Sequence, residues 1–445
     1  MALRKKNPRR RTLSHRSSRN DRLRRLRRHQ LARRRRAFGT AAAREPSSDV
    51  SRRPSGQLPA ALPDRVRVDG CRRAPETGPR ILFFSGGSAL RKLSRSLKHY
   101  TYNSVHLVTP FDSGGSSAEL RRAFDMLSVG DLRNRLMALA DETVRGNPEI
   151  YELFAHRFPL DADTASLAAQ LDALIDGTHE MVAAVPSPMR RIIRTHLREF
   201  AERMPSDFDL RGASIGNLVL AGGYLSNDND IESVVFMFSK LVEARGIVRP
   251  VVSVDMQLAG TLEDGASIVG QHLLTGKAAA PIASPVADLF IVNDQSEVIR
   301  PPLHHGTAKL ITGADLICFP MGSFYSSVIA NLLPEGVGRS VCEARCPKVY
   351  VPNTGTDPEQ VGMTIGKCVE TLLRYLRRDA GDDVKTEAML DFVLVDTARG
   401  SYPSPLDLER VTALGIEVID TELVTERSAP ALDPERLSRV LVSLA

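Results

Sequence analysis

Apolar and polar positions recur along this chain with two periods, one of strands and one of helices, and together they set out its elements. Residues 81–85 form an apolar run closed by Gly86-Gly87, and Leu90, Leu93 and Leu97 follow at helical spacing, with Arg91, Lys92, Arg95 and Lys98 on the other faces. That is strand, glycine turn, helix. A second run, 105–109, leads into Pro110-Phe111-Asp112-Ser113-Gly114-Gly115-Ser116-Ser117, after which Leu120 and Phe124 resume helical spacing. Short turns between such units predict a parallel sheet. Residues 131–204 read as helical, with breaks at Gly146-Asn147-Pro148, Pro159-Leu160-Asp161 and Pro186-Ser187-Pro188, which predicts a helical insertion over the sheet. Residues 218–225 and 231–242 read as buried helices, and 251–274 as hairpin strands around Asp264-Gly265. Strand signals return at 289–292, 316–319, 349–351, 390–395 and 416–419. The expectation is an α/β domain over 80–380 with a further α/β extension over 381–445.

Composition changes this picture mainly at the N-terminus. A chain of 445 residues, 42% hydrophobic and 25% charged, has the balance of a globular protein and excludes collagen-like, wholly disordered and disulfide-stapled classes. No run approaches the roughly 18 apolar residues of a membrane span. The N-terminal charges lack the apolar core of a secretory signal, and five cysteines suit a reducing interior, so a cytoplasmic location is expected. The net charge of +7 averages two unlike regions: residues 1–36 hold fifteen Arg and two Lys against Asp21, which leaves −9 for the rest. Like charges at this density with few apolar residues predict a disordered basic tail. Residues 38–80, rich in Ala, Ser, Pro, Gly and Arg, read as linker, so tail and linker together span 1–79. The tail reads either as an arm for nucleic acid or an anionic lipid surface, or as a solvated extension.

Three glycine turns carry the candidate chemistry. A strand, glycine turn and helix start together offer unpaired backbone N–H groups to an anion. Gly86-Gly87-Ser88 has this form, and it is neither a Walker A loop nor the Gly-x-Gly-x-x-Gly fingerprint. In the second turn Gly114 and Gly115 allow close backbone approach. Ser116 and Glu119 have capping-box spacing, while Asp112 beside Ser117 suits a phosphate or a hydrated cation. Further on, Gly130-Asp131-Leu132-Arg133-Asn134 opens a helix in which Asp131 has the N-cap position; capping leaves Arg133 and Asn134 unexplained. The third turn is Met321-Gly322-Ser323-Phe324-Tyr325-Ser326-Ser327, directly after the strand at 316–319. In a doubly wound sheet such turns gather at the carboxyl ends of the strands. Cys342 and Cys346, four residues apart, read as two buried thiols. His304-His305 reads as surface without an acidic neighbour, and Asp228 and Asp230 as turn formers.

The order of these segments, continued by Gly216-Asn217-Leu218 and Asp264-Gly265, resembles the CofD family, which contains 2-phospho-L-lactate transferases and YvcK-type proteins associated with nucleotide-sugar binding. Within it the chain resembles the CofD-like proteins of the bacterial GAK gene system. The resemblance covers about 300 residues and implies a Rossmann-like α/β domain. It also implies a nucleotide diphosphate or nucleotide-sugar ligand and transfer of a phosphorylated group, with release of the mononucleotide; the alternative is a non-catalytic regulator of YvcK type. Carried onto this sequence, phosphate binding falls to Gly86, Gly87, Ser88, Gly114, Gly115, Ser116, Ser117, Asp131, Arg133, Asn134, Asn217, Gly322, Ser323 and Tyr325. Asp112 would hold Mg²⁺ or the acceptor hydroxyl and act as the catalytic group. Monomer and homo-oligomer both stay open. The chain departs from the family pattern at Ser113, Met321, Gln271 and Met363, where the family has Asp, Pro of a Gly-Pro-Gly-Ser, an acid and Glu. Three of those departures remove negative charge, which weighs against the transfer reaction more than against binding.

Overall fold

The computed structural model describes residues 61–445 apart from 144–145, 277–279 and 404. The reading of 1–36 as a disordered tail, and of 38–60 as linker, lies outside the described residues. Eleven described strands form two sheets. Seven of them, β1 (Ile81–Ser85), β2 (Val105–Val108), β3 (Ile247–Pro250), β8 (Leu316–Phe319), β9 (Lys348–Tyr350), β10 (Phe392–Val395) and β11 (Glu417–Asp420), pair in the order β11-β10-β9-β8-β1-β2-β3. Every pairing in that sheet is parallel. The other four, β4 (Gln257–Leu262), β5 (Ser267–Val269), β6 (Val286–Val292) and β7 (Val298–Ile299), form an antiparallel sheet in the order β5-β4-β6-β7.

From β1 the chain steps outward to β2 and β3, and then returns to build β8 on the other flank of β1. The connection direction therefore reverses between β1 and β8, which is the switch point where a crevice opens at the carboxyl ends. β1, β2, β8, β9 and β10 are buried along their whole length, as strands covered on both faces must be. One core joins the sheet to the small antiparallel sheet and the helices Val337–Glu343 and Ile365–Ala380. A second fills the helical layer, and a third holds the helices Arg91–Leu97 and Pro434–Leu444 against the opposite face. The strands β10 and β11 extend the main sheet itself.

The helical layer is the crossover between β2 and β3. It runs past residue 204, through the helices Ile215–Ser226 and Ile231–Leu241. The hairpin around Asp264-Gly265 is present as β4 and β5, with Gly265 at φ +88°. Residues 271–274, expected as strand, instead form one helical turn. Cys346 lies beyond the end of the helix Val337–Glu343, so it does not share a helical face with Cys342; Cys346 is buried, as expected, while Cys342 is only half-buried. His304 is exposed and does have an acidic neighbour, the Glu232 carboxylate at 3.5 Å. Asp230 caps the helix that follows it. Among the described residues no helix is long and apolar enough to cross a membrane.

One segment read as linker is ordered. The helix Arg65–Arg73 docks on the C-terminal helix: the Asp64 N–H donates to Ser443 Oγ at 2.8 Å, Arg67 Nε donates to the Val442 carbonyl at 3.0 Å, and Val68 is buried in the third core. With a glycine at its centre and two apolar residues it has little helical tendency of its own, so tertiary contact, invisible to local periodicity, holds it. Val66 stands 86% exposed and Val68 3%. Val68→Asp is expected to lower unfolding free energy by about 3 kcal/mol or more, and Val66→Asp to stay within about 0.5 kcal/mol, measured by urea unfolding. Equal, small effects would return this segment to the status of a linker.

Candidate functional site

β8, β1 and β2 are neighbours, so the three glycine turns that follow them lie side by side at one end of the sheet. The first turn is shaped by what packs onto it. A side chain on Gly87 would run into the Asp131 carboxylate, and one on Gly86 into the Ser327 hydroxyl. Gly86, Gly87, Asp131 and Ser327 are thus brought together across the switch point, while Ser88 stands exposed at the surface of the turn. Asn331 locks the arrangement from beneath, donating to the carbonyls of Ser85 at 3.2 Å and Ser327 at 2.6 Å.

The second turn is organised by Asp112, whose Oδ1 accepts the Gly114 N–H at 3.1 Å. Its other oxygen faces Gly130, where a Cβ would stand 3.5 Å from Oδ2 and would collide with Ser117 Oγ. Gly115 takes φ +51° and begins the helix Gly115–Phe124. Because Gly114 is the N-cap, Ser116 is inside the helix and does not cap it; its Oγ accepts from Asn217 Nδ2 at 3.1 Å instead, and Glu119 pairs with Arg122. Asp131 is likewise inside its helix, since Gly130–Leu139 starts after Val129. Ser113 is tied to the hairpin side: Oγ lies 2.7 Å from His272 Nδ1 and accepts the His272 N–H at 3.1 Å. Beside it Gln271 is buried, and its Oε1 has no partner among the described residues.

The third turn differs in kind. Residues Phe324–Val328 form a single π-helical turn whose amides are already taken. The Phe324 N–H donates to Asp357 Oδ2 at 2.7 Å, and those of Tyr325 and Ser326 donate to Glu359 Oε2 at 2.8 Å. The Gly322 N–H donates to Asn353 Oδ1 at 2.8 Å. Tyr325 is core, its hydroxyl reaching the Val286 carbonyl and the Met363 sulfur. Ser323 is half-exposed at the start of the turn. Burial, with the neighbouring Asp357 charge, pushes the Glu359 carboxyl up to about 7.

Behind the first two turns lie two buried guanidinium groups that make no ion pair among the described residues. Arg133, 6% exposed, has a long 3.4 Å hydrogen bond to the Phe154 carbonyl, and its Nε is unpartnered. Burial, then the Arg157 and Arg91 charges, pulls it down to about 10, while Tyr151 and Asp131 act against that shift. Asn134, one residue on, is half-exposed. Arg135, fully buried, was not legible as a site residue; it donates to the carbonyls of Gly86 at 2.8 Å and Gly87 at 3.3 Å and to Ser94 Oγ at 2.6 Å. A cavity of about 620 Å³ opens beside the second turn, lined by Ser116, Leu120, Phe158, Phe208 and Asn217 among others.

These oxygen donors have the chemistry of a magnesium site. Mg²⁺ is usually held by one or two carboxylates together with waters and ligand phosphates. Asp112 Oδ2 faces Gly130 and the Asp131 carboxylate lies against Gly87, and each would offer an oxygen to such a cation. No cluster of three or more His, Cys, Asp or Glu exists among the described residues, so phosphate oxygens would have to complete the coordination.

A relative from Nostoc sp. is 29% identical over 395 residues, covering 86% of this chain and 72% of its own. The gluconeogenesis factor of Bacillus subtilis is 28% identical over 380 residues, covering 82% and 98%. A crystal structure of a UPF0052 family protein from Bacillus halodurans superposes with a TM-score of 0.60 at 24% identity, over 82% of this chain and 99% of that one, which concerns the fold. The family described as 2-phospho-L-lactate transferase CofD matches residues 81–424, and the chain belongs to that CofD family.

Proposed function

We propose that this protein binds the diphosphate of a nucleotide or nucleotide sugar across the turns that follow β1 and β2. The observation that carries this reading is Arg133. Taking a guanidinium out of water without an ion pair costs several kcal/mol, and here the repulsion of Arg157 and Arg91 outranks the attraction of Asp131. A phosphate placed against Gly114, Gly115 and Ser116 would supply the missing negative charge, with the start of the helix Gly115–Phe124 adding its amides and dipole. Gly86, Gly87, Ser88, Ser117, Asp131, Asn134 and Asn217 would surround the ligand on this reading, with Gly322 and Ser323 on the β8 side.

A second reading adds transfer of a phosphorylated group, and the family description supports it. Asp112 would then hold Mg²⁺ or orient an acceptor hydroxyl. Binding without transfer is favoured by a specific contact: the Ser113 hydroxyl is occupied by His272, which leaves Asp112 as the single carboxylate of this turn. The name gluconeogenesis factor, borne by relatives, also suits a regulator. Release of mononucleotide from a nucleotide-diphosphate donor would establish transfer; saturable binding without turnover would establish the regulator.

Thermal melts with nucleoside diphosphates and nucleotide sugars should show stabilisation of about 2.7 kcal/mol at ligand near 100 times its dissociation constant. Arg133→Met should abolish that shift without lowering the ligand-free melting temperature, because it removes an uncompensated buried charge. A shift that persists in Arg133→Met would place the phosphates elsewhere.

Asp112→Asn keeps an oxygen for the Gly114 N–H, so the fold should persist while Mg²⁺-dependent binding falls at least tenfold, read by Mg²⁺ or Mn²⁺ titration with nucleotide present. Equal metal dependence in both proteins would remove Asp112 from the site.

Glu359 gives a pH test of the third turn. Its folded pKa lies above the usual carboxylate value, so between about pH 4.5 and 7 the folded chain holds a proton the unfolded chain has lost. Its contribution to stability therefore falls as pH rises through that window. Relative to wild type, Glu359→Gln should gain melting temperature from pH 5 to pH 8; a difference independent of pH would show that Glu359 does not titrate there.

A further inference from the structure

We infer that Arg135 sets the preference of this site for ligand charge, as a positioning residue that never touches the ligand; the inference rests on the diphosphate reading above. Arg135 is the largest side chain that the fold buries completely. Its partners are neutral: the Gly86 and Gly87 carbonyls, Ser94 Oγ, and Ser85 Oγ at 3.5 Å, while its Nε has none. Burial pulls it down to about 10, and the charge that opposes this is Asp131. His106, the other titratable group against it, is fully buried and held well below its usual range, first by that burial and then by the Arg135 charge itself. The guanidinium is therefore a fixed cation in a dry interior, one peptide unit below the first turn.

Two consequences follow from that placement. By holding the carbonyls of Gly86 and Gly87 inward, Arg135 leaves the opposite edge of the turn to its amides, which is the orientation an anion requires. And because the charge sits in a low-dielectric interior, its pull on the ligand grows with each negative charge the ligand carries and is weakly screened by salt. Simple packing explains neither the residue nor its cost: an apolar side chain would fill the space without burying a charge. The sequence of the helix gives no competing role, since Asp131 already packs on Gly87 and Arg133 already faces the helical layer.

The test compares nucleoside monophosphates with diphosphates of uracil, guanine and adenine, using calorimetric dissociation constants for wild type, Arg135→Gln and Arg135→Lys. Gln keeps an N–H donor for the turn carbonyls without the charge; Lys keeps the charge. Wild type should prefer the diphosphate, Arg135→Gln should narrow that preference at least about fivefold, and Arg135→Lys should restore most of it. A preference unchanged in Arg135→Gln, or equal loss of both nucleotides in Gln and Lys, would overturn the inference and leave Arg135 structural. Should Arg135→Gln not fold, wild type alone decides: the preference should survive between about 50 and 500 mM NaCl, and its disappearance would assign it to exposed cations. If wild type binds neither class, the diphosphate reading itself fails, an outcome distinct from binding without charge preference.

Discussion

The contact between Asp131 and the bare Cα of Gly87 fixes the position of everything else at this end of the sheet. A β-carbon at Gly87 would occupy the space of the carboxylate, so the helix Gly130–Leu139 can lie against the end of β1 only because that residue is glycine. Once the helix is there, its next residues have no freedom of placement. Arg133 must enter the helical layer beside Phe154, and Arg135 must pass beneath the turn to reach the Gly86 and Gly87 carbonyls. Gly130 repeats the device one strand over, giving Ser117 and Asp112 room to close on the same helix.

Such an arrangement is expensive when empty. Two guanidinium groups are buried without ion pairs, each drawn down to about 10 mainly by desolvation. Groups of this kind persist where the fold over-determines them or where a ligand completes them. Arg133 is the less satisfied of the two, since its one hydrogen bond is long and the Arg157 and Arg91 charges act on it more strongly than Asp131 does. Arg135 is better satisfied, and its cost is offset partly by the carbonyls and partly by Asp131. Stability and binding are therefore expected to respond in opposite senses to neutralising substitutions in this helix.

Much of the fold was legible in the sequence because parallel strands buried on both faces are short apolar runs, and all three turns could be placed from the glycines that end β1, β2 and β8. The helix Gly130–Leu139 does not follow that pattern. Eight of its ten residues are buried, so the usual inference from an apolar stripe to one buried face fails, and nothing in the local pattern marks Arg135 as enclosed. Asp131 and Ser116 read as caps because spacing alone cannot show that their helices begin one or two residues earlier. Asp357 and Glu359 lie more than thirty residues from the amides they cap, and no local pattern encodes such a pairing. The helix Arg65–Arg73 fails for the same reason: its order comes from the far end of the chain.

The three turns look alike in sequence, yet their electrostatics divide them. In the third, two carboxyl groups take the N–H groups that an anion would need, and a ligand phosphate there would meet the charge of Asp357. In the first and second, the backbone is backed by guanidinium groups instead. The switch-point crevice is thus polarised, negative on the β8 side and positive on the β1 and β2 side. On the positive side the second turn borders the cavity at Ser116 and Asn217. On the reading proposed above, a phosphate seated there would point the rest of its molecule toward the helical layer, away from β8.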